Sequence, residues 1–154
     1  MRTVEVWQAV QRRLRQLLPD HDIRRSYADI PDFEEARQSE KPIVMLNLDG
    51  KWTKELSLAK VLDVYEFSAW VLQYIPEQDE ADITARMDSA IDTFDTITEG
   101  FTRCKWEDGG QILTVSGETE SEGNSLYDRT DFENFSLYSL LFSMTVEVPR
   151  EIAR

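Results

Sequence analysis

DITARMDSAIDTFDTITEGF, residues 82–101, decides the fold. Wound as an α-helix at about 100° per residue, it gathers Ile83, Met87, Ala90, Ile91, Phe94, Ile97 and Phe101 into an arc of roughly 120°. No other long segment has so clean a period. Asp79 or Asp82 suits the N-cap, and Gly100 supplies a helix stop. Alternating, strand-like sequence lies on both sides, so this helix is the piece on which a sheet closes.

Working outward towards the N-terminus, VLDVYEFSAWVLQYI (61–75) is the longest strand candidate. Tyr65, Phe67, Ala69 and Val71 point one way, and Val64, Trp70, Leu72 and Tyr74 the other. Asp63 and Glu66 interrupt the two faces near the start, which predicts that this end projects into solvent. Before it, IVMLNLD (43–49) reads as a strand covered on both faces; Gly50-Lys51 is expected to turn it, with the chain returning through Trp52 to Leu58. Residues 28–42 form a loop longer than a connection needs. Ile23–Tyr27 reads as a short edge strand whose charges discourage unwanted pairing. From Thr3 to Leu18, a second stripe of Val6, Trp7, Val10, Leu14, Leu17 and Leu18 predicts a helix capped at Thr3 and ended by Pro19.

Towards the C-terminus, Asp108-Gly109-Gly110 turns the chain into a strand at Gln111–Gly117. An acidic, apolar-poor segment, 117–131, reads as a projecting arm or loop. In ENFSLYSLLFSMTVEV (133–148) the even positions Tyr138, Leu140, Phe142, Met144, Val146 and Val148 form the buried set, and Pro149 is expected to end the strand. The order is α-β-β-β-α-β-β. The fold class is α+β, an antiparallel or mixed sheet of about five strands with two helices packed on it. The 154 residues form a single domain, 1–154, long enough for a substantial core.

Charge narrows the function classes. The net charge is −13, yet residues 1–25 set Arg2, Arg12, Arg13, Arg15, Arg24 and Arg25 against only Glu5, Asp20 and Asp22. Binding nucleic acid through a basic face is not expected of such a chain, whereas a basic partner suits it. No run of 18 apolar residues exists, and the N-terminus lacks the apolar stretch of a signal peptide, so neither export by that route nor membrane insertion is expected. One cysteine, Cys104, forms no internal disulfide and supports no zinc site of the usual kind. No GxGxxG, P-loop, GxSxG, HExxH or CxxC occurs. No catalytic, cofactor-binding or metal-ligating residue is assigned, and the chain is not expected to be an enzyme.

Two clusters bear on contacts. Asp88, Asp92, Asp95 and Glu99 fall on one side of the central helix, broadly opposite its apolar stripe. They read either as a solvated acidic face or as a contact for the Arg12, Arg13 and Arg15 side of a neighbouring first helix; a divalent-cation site is the remaining reading, because one helix face seldom supplies enough converging oxygens. Glu118, Glu120 and Glu122 alternate within a Gly- and Ser-rich segment and read as solvated carboxylates. His21, the only histidine, reads as a surface turn residue.

The layout resembles the tail terminator, or tail-completion, proteins of long-tailed bacteriophages. The resemblance rests on a first helix VWQAVQRRLRQLL, a short strand IRRSY, a Pro-bearing loop into EKPIVMLNL, the strand DVYEFSAWVLQYI, the helix DITARMDSAIDTFDTI and closing strands ending in SMTVEVP. It implies a virion protein, made in the bacterial cytoplasm, that forms a homo-oligomeric ring, commonly a hexamer, at the head-proximal end of the tail. Such a ring caps the tail tube protein, meets the head connector protein, and lets double-stranded DNA pass without specific binding. An acidic lumen keeps DNA from sticking. The alternatives are another phage neck, tail-tube or baseplate component, and a monomeric acidic module that mimics DNA.

Overall fold

Fifteen residues, paired along their length with a strand on each side, make β3, Lys60–Tyr74, the spine of the molecule. The computed structural model describes residues 1–25, 41–75, 80–116, 120–121 and 137–152. Along the chain these give α1 (Thr3–Leu17), β1 (Asp22–Arg25), β2 (Ile43–Glu55), β3, α2 (Glu80–Phe101), β4 (Lys105–Asp108), β5 (Gln111–Val115), β6 (Glu120–Ser121) and β7 (Leu137–Glu151). The fold is α+β, and the described residues form two helices on one mixed sheet. Its strand order is β1-β2-β3-β7-β5-β4, and β6 pairs with β7 beside β5. Among the described strands, only β1 and β2 run parallel.

The sheet exceeds the expected five strands for two reasons. Gly109 and Gly110 have φ of +58° and +79°, the backbone of a two-residue hairpin turn, so Lys105–Asp108 folds back on β5 as a strand of its own. Glu120–Ser121 then adds a short strand to β7. The rest of the expected arm at 117–131, most of the expected loop at 28–42, and the Asp79 cap lie outside the described residues.

Burial follows the expected alternation. Tyr65, Phe67, Ala69 and Val71 of β3 are fully enclosed, and every even residue from Tyr138 to Val148 of β7 is buried. Both helices pack on this face. Phe94 of α2 meets Phe142 edge to face at 6.4 Å, and Trp7 of α1 meets Phe67 at 6.5 Å. Ala90, Thr93, Ile97 and Phe101 complete the buried side of α2.

The structure departs from the local sequence pattern at six places. Gly50-Lys51 does not turn the chain: β2 continues to Glu55, and Asp49 is an extra residue in a bulge between Leu48 and Gly50. The bulge reverses which side chains face the helices, and the chain turns only at 56–59. Pro149 does not end β7, which runs to Glu151. The Ile152 amide donates to the Ala59 carbonyl, so alternation places the Pro149 nitrogen on the opposite edge, beyond the last β5 pair at Glu147. A missing N–H is tolerated there. At the helix ends, Arg2 is the N-cap of α1, its amide donating to Glu5 at 2.7 Å, and Asp82 lies inside α2. The left-handed residue after α2 is Arg103, φ +51°; Gly100 instead admits α1, since a Cβ there would lie 2.4 Å from Leu17 Cδ1. Finally, Asp63 does not project into solvent but is 3% exposed.

Candidate assembly surfaces

The basic side of α1 and the acidic side of α2 are held differently from one another. Arg12 grips Asp108 with two hydrogen bonds, Nε to Oδ2 at 2.9 Å and Nη2 to Oδ1 at 2.6 Å. The pairing raises the Arg12 pKa and lowers that of Asp108. Arg13 donates to the Gly100 carbonyl at the end of α2. Arg15 is exposed, with no ion-pair partner among the described residues. Asp88, Asp92, Asp95 and Glu99 are all exposed on α2, and no described cation pairs with them. The fold therefore does not bring the arginine group and the acidic row together within one chain.

Beside that row, the turn after α1 lies against α2. His21 is half-buried there, and its Nε2 lies 2.9 Å from Thr93 Oγ1. Thr93 already donates to the Ser89 carbonyl, so its oxygen accepts from a proton on His21 Nε2. Burial and the charge of Lys41 lower the His21 pKa, against the opposing charge of Asp20. Leu18, His21, Lys41, Ala85, Thr93 and the rim carboxylates Asp88 and Asp92 line an open groove of about 380 Å³. His21 is thus not the surface turn residue that its local sequence suggests, and the Thr93 partner, 72 positions away, leaves no local signal.

The second surface is the sheet face away from the helices. Pairing register puts Glu66, Ser68, Ser143, Thr145 and Glu147 on it, together with Asn47 and the bulge residue Asp49. Asn47 donates to Asp49 Oδ1, and Ser68 donates to Asp49 Oδ2. The result is a polar band with three carboxylates, over which no described helix lies.

The third is an arm made by the far ends of β2, β3 and β7. All of residues 51–60 are exposed. Trp52, Leu56 and Leu58 are 46%, 53% and 81% exposed, among the most exposed large apolar residues described. At the arm's root, Asp63 accepts from Thr53 Oγ1 at 2.8 Å and from Arg150 Nε at 2.9 Å, tying the three strands together. Lys51 donates to Thr3 Oγ1 and stands over the Tyr65 ring, which marks where α1 stops covering the sheet. The sequence signal was the run KWTKELSLAK, whose apolar residues belong to no core stripe.

Among the described residues, no group of three His, Cys, Asp or Glu side chains is arranged to hold a metal ion. No described helix is long and apolar enough to cross a membrane. No family model matches the sequence, and no curated protein does. One solved structure, of a protein without a descriptive name, aligns with 100% of this chain and 99% of its own at 10% identity and a TM-score of 0.48. So distant a likeness says nothing about function.

Proposed function

We propose that the chain is a structural building block that joins copies of itself into a ring, caps a phage tail tube and meets the head connector, with no reaction to catalyse. The observation that carries this reading is the polar band on the sheet face opposite the two described helices, where Asp49, Glu66 and Glu147 stand among hydroxyl and amide side chains, next to the buried cluster of Ile43, Met45 and Leu72. In a ring, the same face lines a wet, negatively charged passage that repels the DNA backbone. The excess of acid over base, −13 per chain, multiplies with each copy.

The proposed setting is the virion tail, with the tube protein on one side of the ring and the connector on the other. The experiment is a mass measurement of the intact species, followed by electron microscopy of the protein mixed with uncapped tail tubes. A closed ring of several 17.9 kDa chains seated at tube ends supports the proposal. A single-chain mass at every concentration, with tight salt-sensitive binding to a nucleic-acid enzyme, would transfer the protein to the DNA-mimic class instead.

A further inference from the structure

The arm and the α2 groove lie at opposite ends of one strand. Lys41, which lines the groove, is two residues before β2, and the arm tip follows Glu55 at its other end. Thirteen strand residues at about 3.3 Å each separate the two ends by roughly 40 Å. An arm cannot reach its own groove.

Their chemistry is complementary. Residues 51–60 hold Lys51, Lys54 and Lys60 against Glu55, a basic tip on a chain of net charge −13. Lys51 is engaged with Thr3, but the side chains of Lys54 and Lys60 have no ion-pair partner among the described residues. Leu56 and Leu58 stand in solvent beside them. The groove offers Leu18 and Ala85 in its wall and Asp88 and Asp92 at its rim, with Asp95 further along α2. Among the described residues, Lys41 is the cation in the lining, and His21 is neutral above its lowered pKa.

We infer that the arm of one copy docks in the α2 groove of the next, Leu58 entering the groove while Lys54 and Lys60 face Asp88 and Asp92. The contact rests on the ring reading and deepens it by naming the surfaces that meet. It is head to tail, because different patches meet, so repetition gives a closed ring or an open filament according to the angle between neighbours. It also explains why a small acidic domain keeps an 81% exposed leucine at the end of a stiffened hairpin. Large exposed apolar side chains grouped in this way mark contact sites.

The test uses the full chain and light scattering across a concentration series. Lys54→Glu with Lys60→Glu, and separately Leu58→Ser, should each weaken assembly at least tenfold while circular dichroism stays that of the wild type. Adding Asp88→Lys and Asp92→Lys to the charge-reversed arm should restore assembly. Wild-type rings that ignore the arm substitutions overturn this contact and leave the ring reading standing. Folded four-site variants that stay dissociated overturn the pairing of the arm with this groove. A wild-type chain that never assembles overturns both readings. If a charge variant does not fold, Leu58→Cys with Ser89→Cys in a Cys104→Ser chain answers the same question. Oxidation should then give a ladder of covalent oligomers, and a product of single chains only would overturn the contact.

Discussion

Asp63 and Arg150 meet across 87 residues of sequence, Arg150 Nε lying 2.9 Å from a carboxylate that is almost wholly enclosed. Thr53 reaches the same carboxylate from the other side. One side chain on the middle strand thus fastens both neighbours at the point where α1 stops supporting the sheet. A hairpin beyond the core is marginal by itself, so this link sets how rigidly the arm is presented.

Asp63→Ala removes the acceptor from Thr53 and Arg150 and should cost about 1–3 kcal/mol, measured by urea unfolding. Burial alone raises the Asp63 pKa, but hydrogen bonds from Arg150 and Thr53 and the charges of Arg150 and Lys51 outweigh it and hold the carboxyl below its ordinary 3.8. The stability it supplies is therefore present above pH 3.8 and lost as pH falls through the lower folded value. Asp63→Ala should remove that part of the acid-unfolding slope; an unchanged acid limb would mean that the link contributes nothing.

Gly100→Ala sets two effects against each other. Alanine in place of a helical glycine contributes about 0.5–1 kcal/mol to stability, but the new Cβ would sit 2.4 and 2.7 Å from the two Leu17 methyl carbons and 3.1 Å from Cγ. Overpacking costs about 1–3 kcal/mol, and the contact involves more than one flexible tip, so the clash should win. Leu17→Ala combined with Gly100→Ala should then be more stable than the sum of the single effects implies. Additive melting shifts would show that Leu17 simply rotates away.

Much of this architecture was legible in the chain because burial imposes a period. The stripe from Ile83 to Phe101, the alternation through Tyr65 and Val71, and the even positions of 138–148 all give the packed faces directly. Features set by partners distant in sequence were not legible. Gly50-Lys51 looks like a turn until β3 is seen to pair on past it. Pro149 looks like a terminator until the edge that its nitrogen faces is known. Asp63 looks like a solvent residue because nothing near it announces Arg150. The candidate contact surfaces were half visible: the acidic row of α2 and the unstriped run KWTKELSLAK were, whereas the internal partner of Arg12 and the strand pairing that makes that run an arm were not.

Phe94 tests whether the central helix is the core element that its stripe implies. It is 6% exposed and edge-on to Phe142 of β7. Phe94→Ala should cost about 3–5 kcal/mol, read as a fall in the denaturant midpoint with unchanged slope. A loss below about 1 kcal/mol would mean that the site collapses freely and that α2 contributes little to the core.

His21 gives the chain a second pH response, separate in range from that of Asp63. Its pKa is lowered from 6.5, by burial first and by Lys41 next, while Asp20 opposes. The folded state therefore holds the imidazole neutral, and the unfolded state takes up the proton first as pH falls. The sign follows: the contribution of His21 is complete above pH 6.5 and declines as pH drops through the lower folded pKa. Protonation also puts a second N–H at Nδ1, a buried atom with no hydrogen-bond partner among the described residues. Asp63 and Asp108 are both lowered from 3.8 and stay charged throughout this range. Urea midpoints should thus fall between pH 7.5 and 5.5 in the wild type and fall less in His21→Gln. Equal pH slopes in the two proteins would show that the imidazole titrates alike in the folded and unfolded chains, and that the 2.9 Å approach to Thr93 imposes no constraint on its protonation.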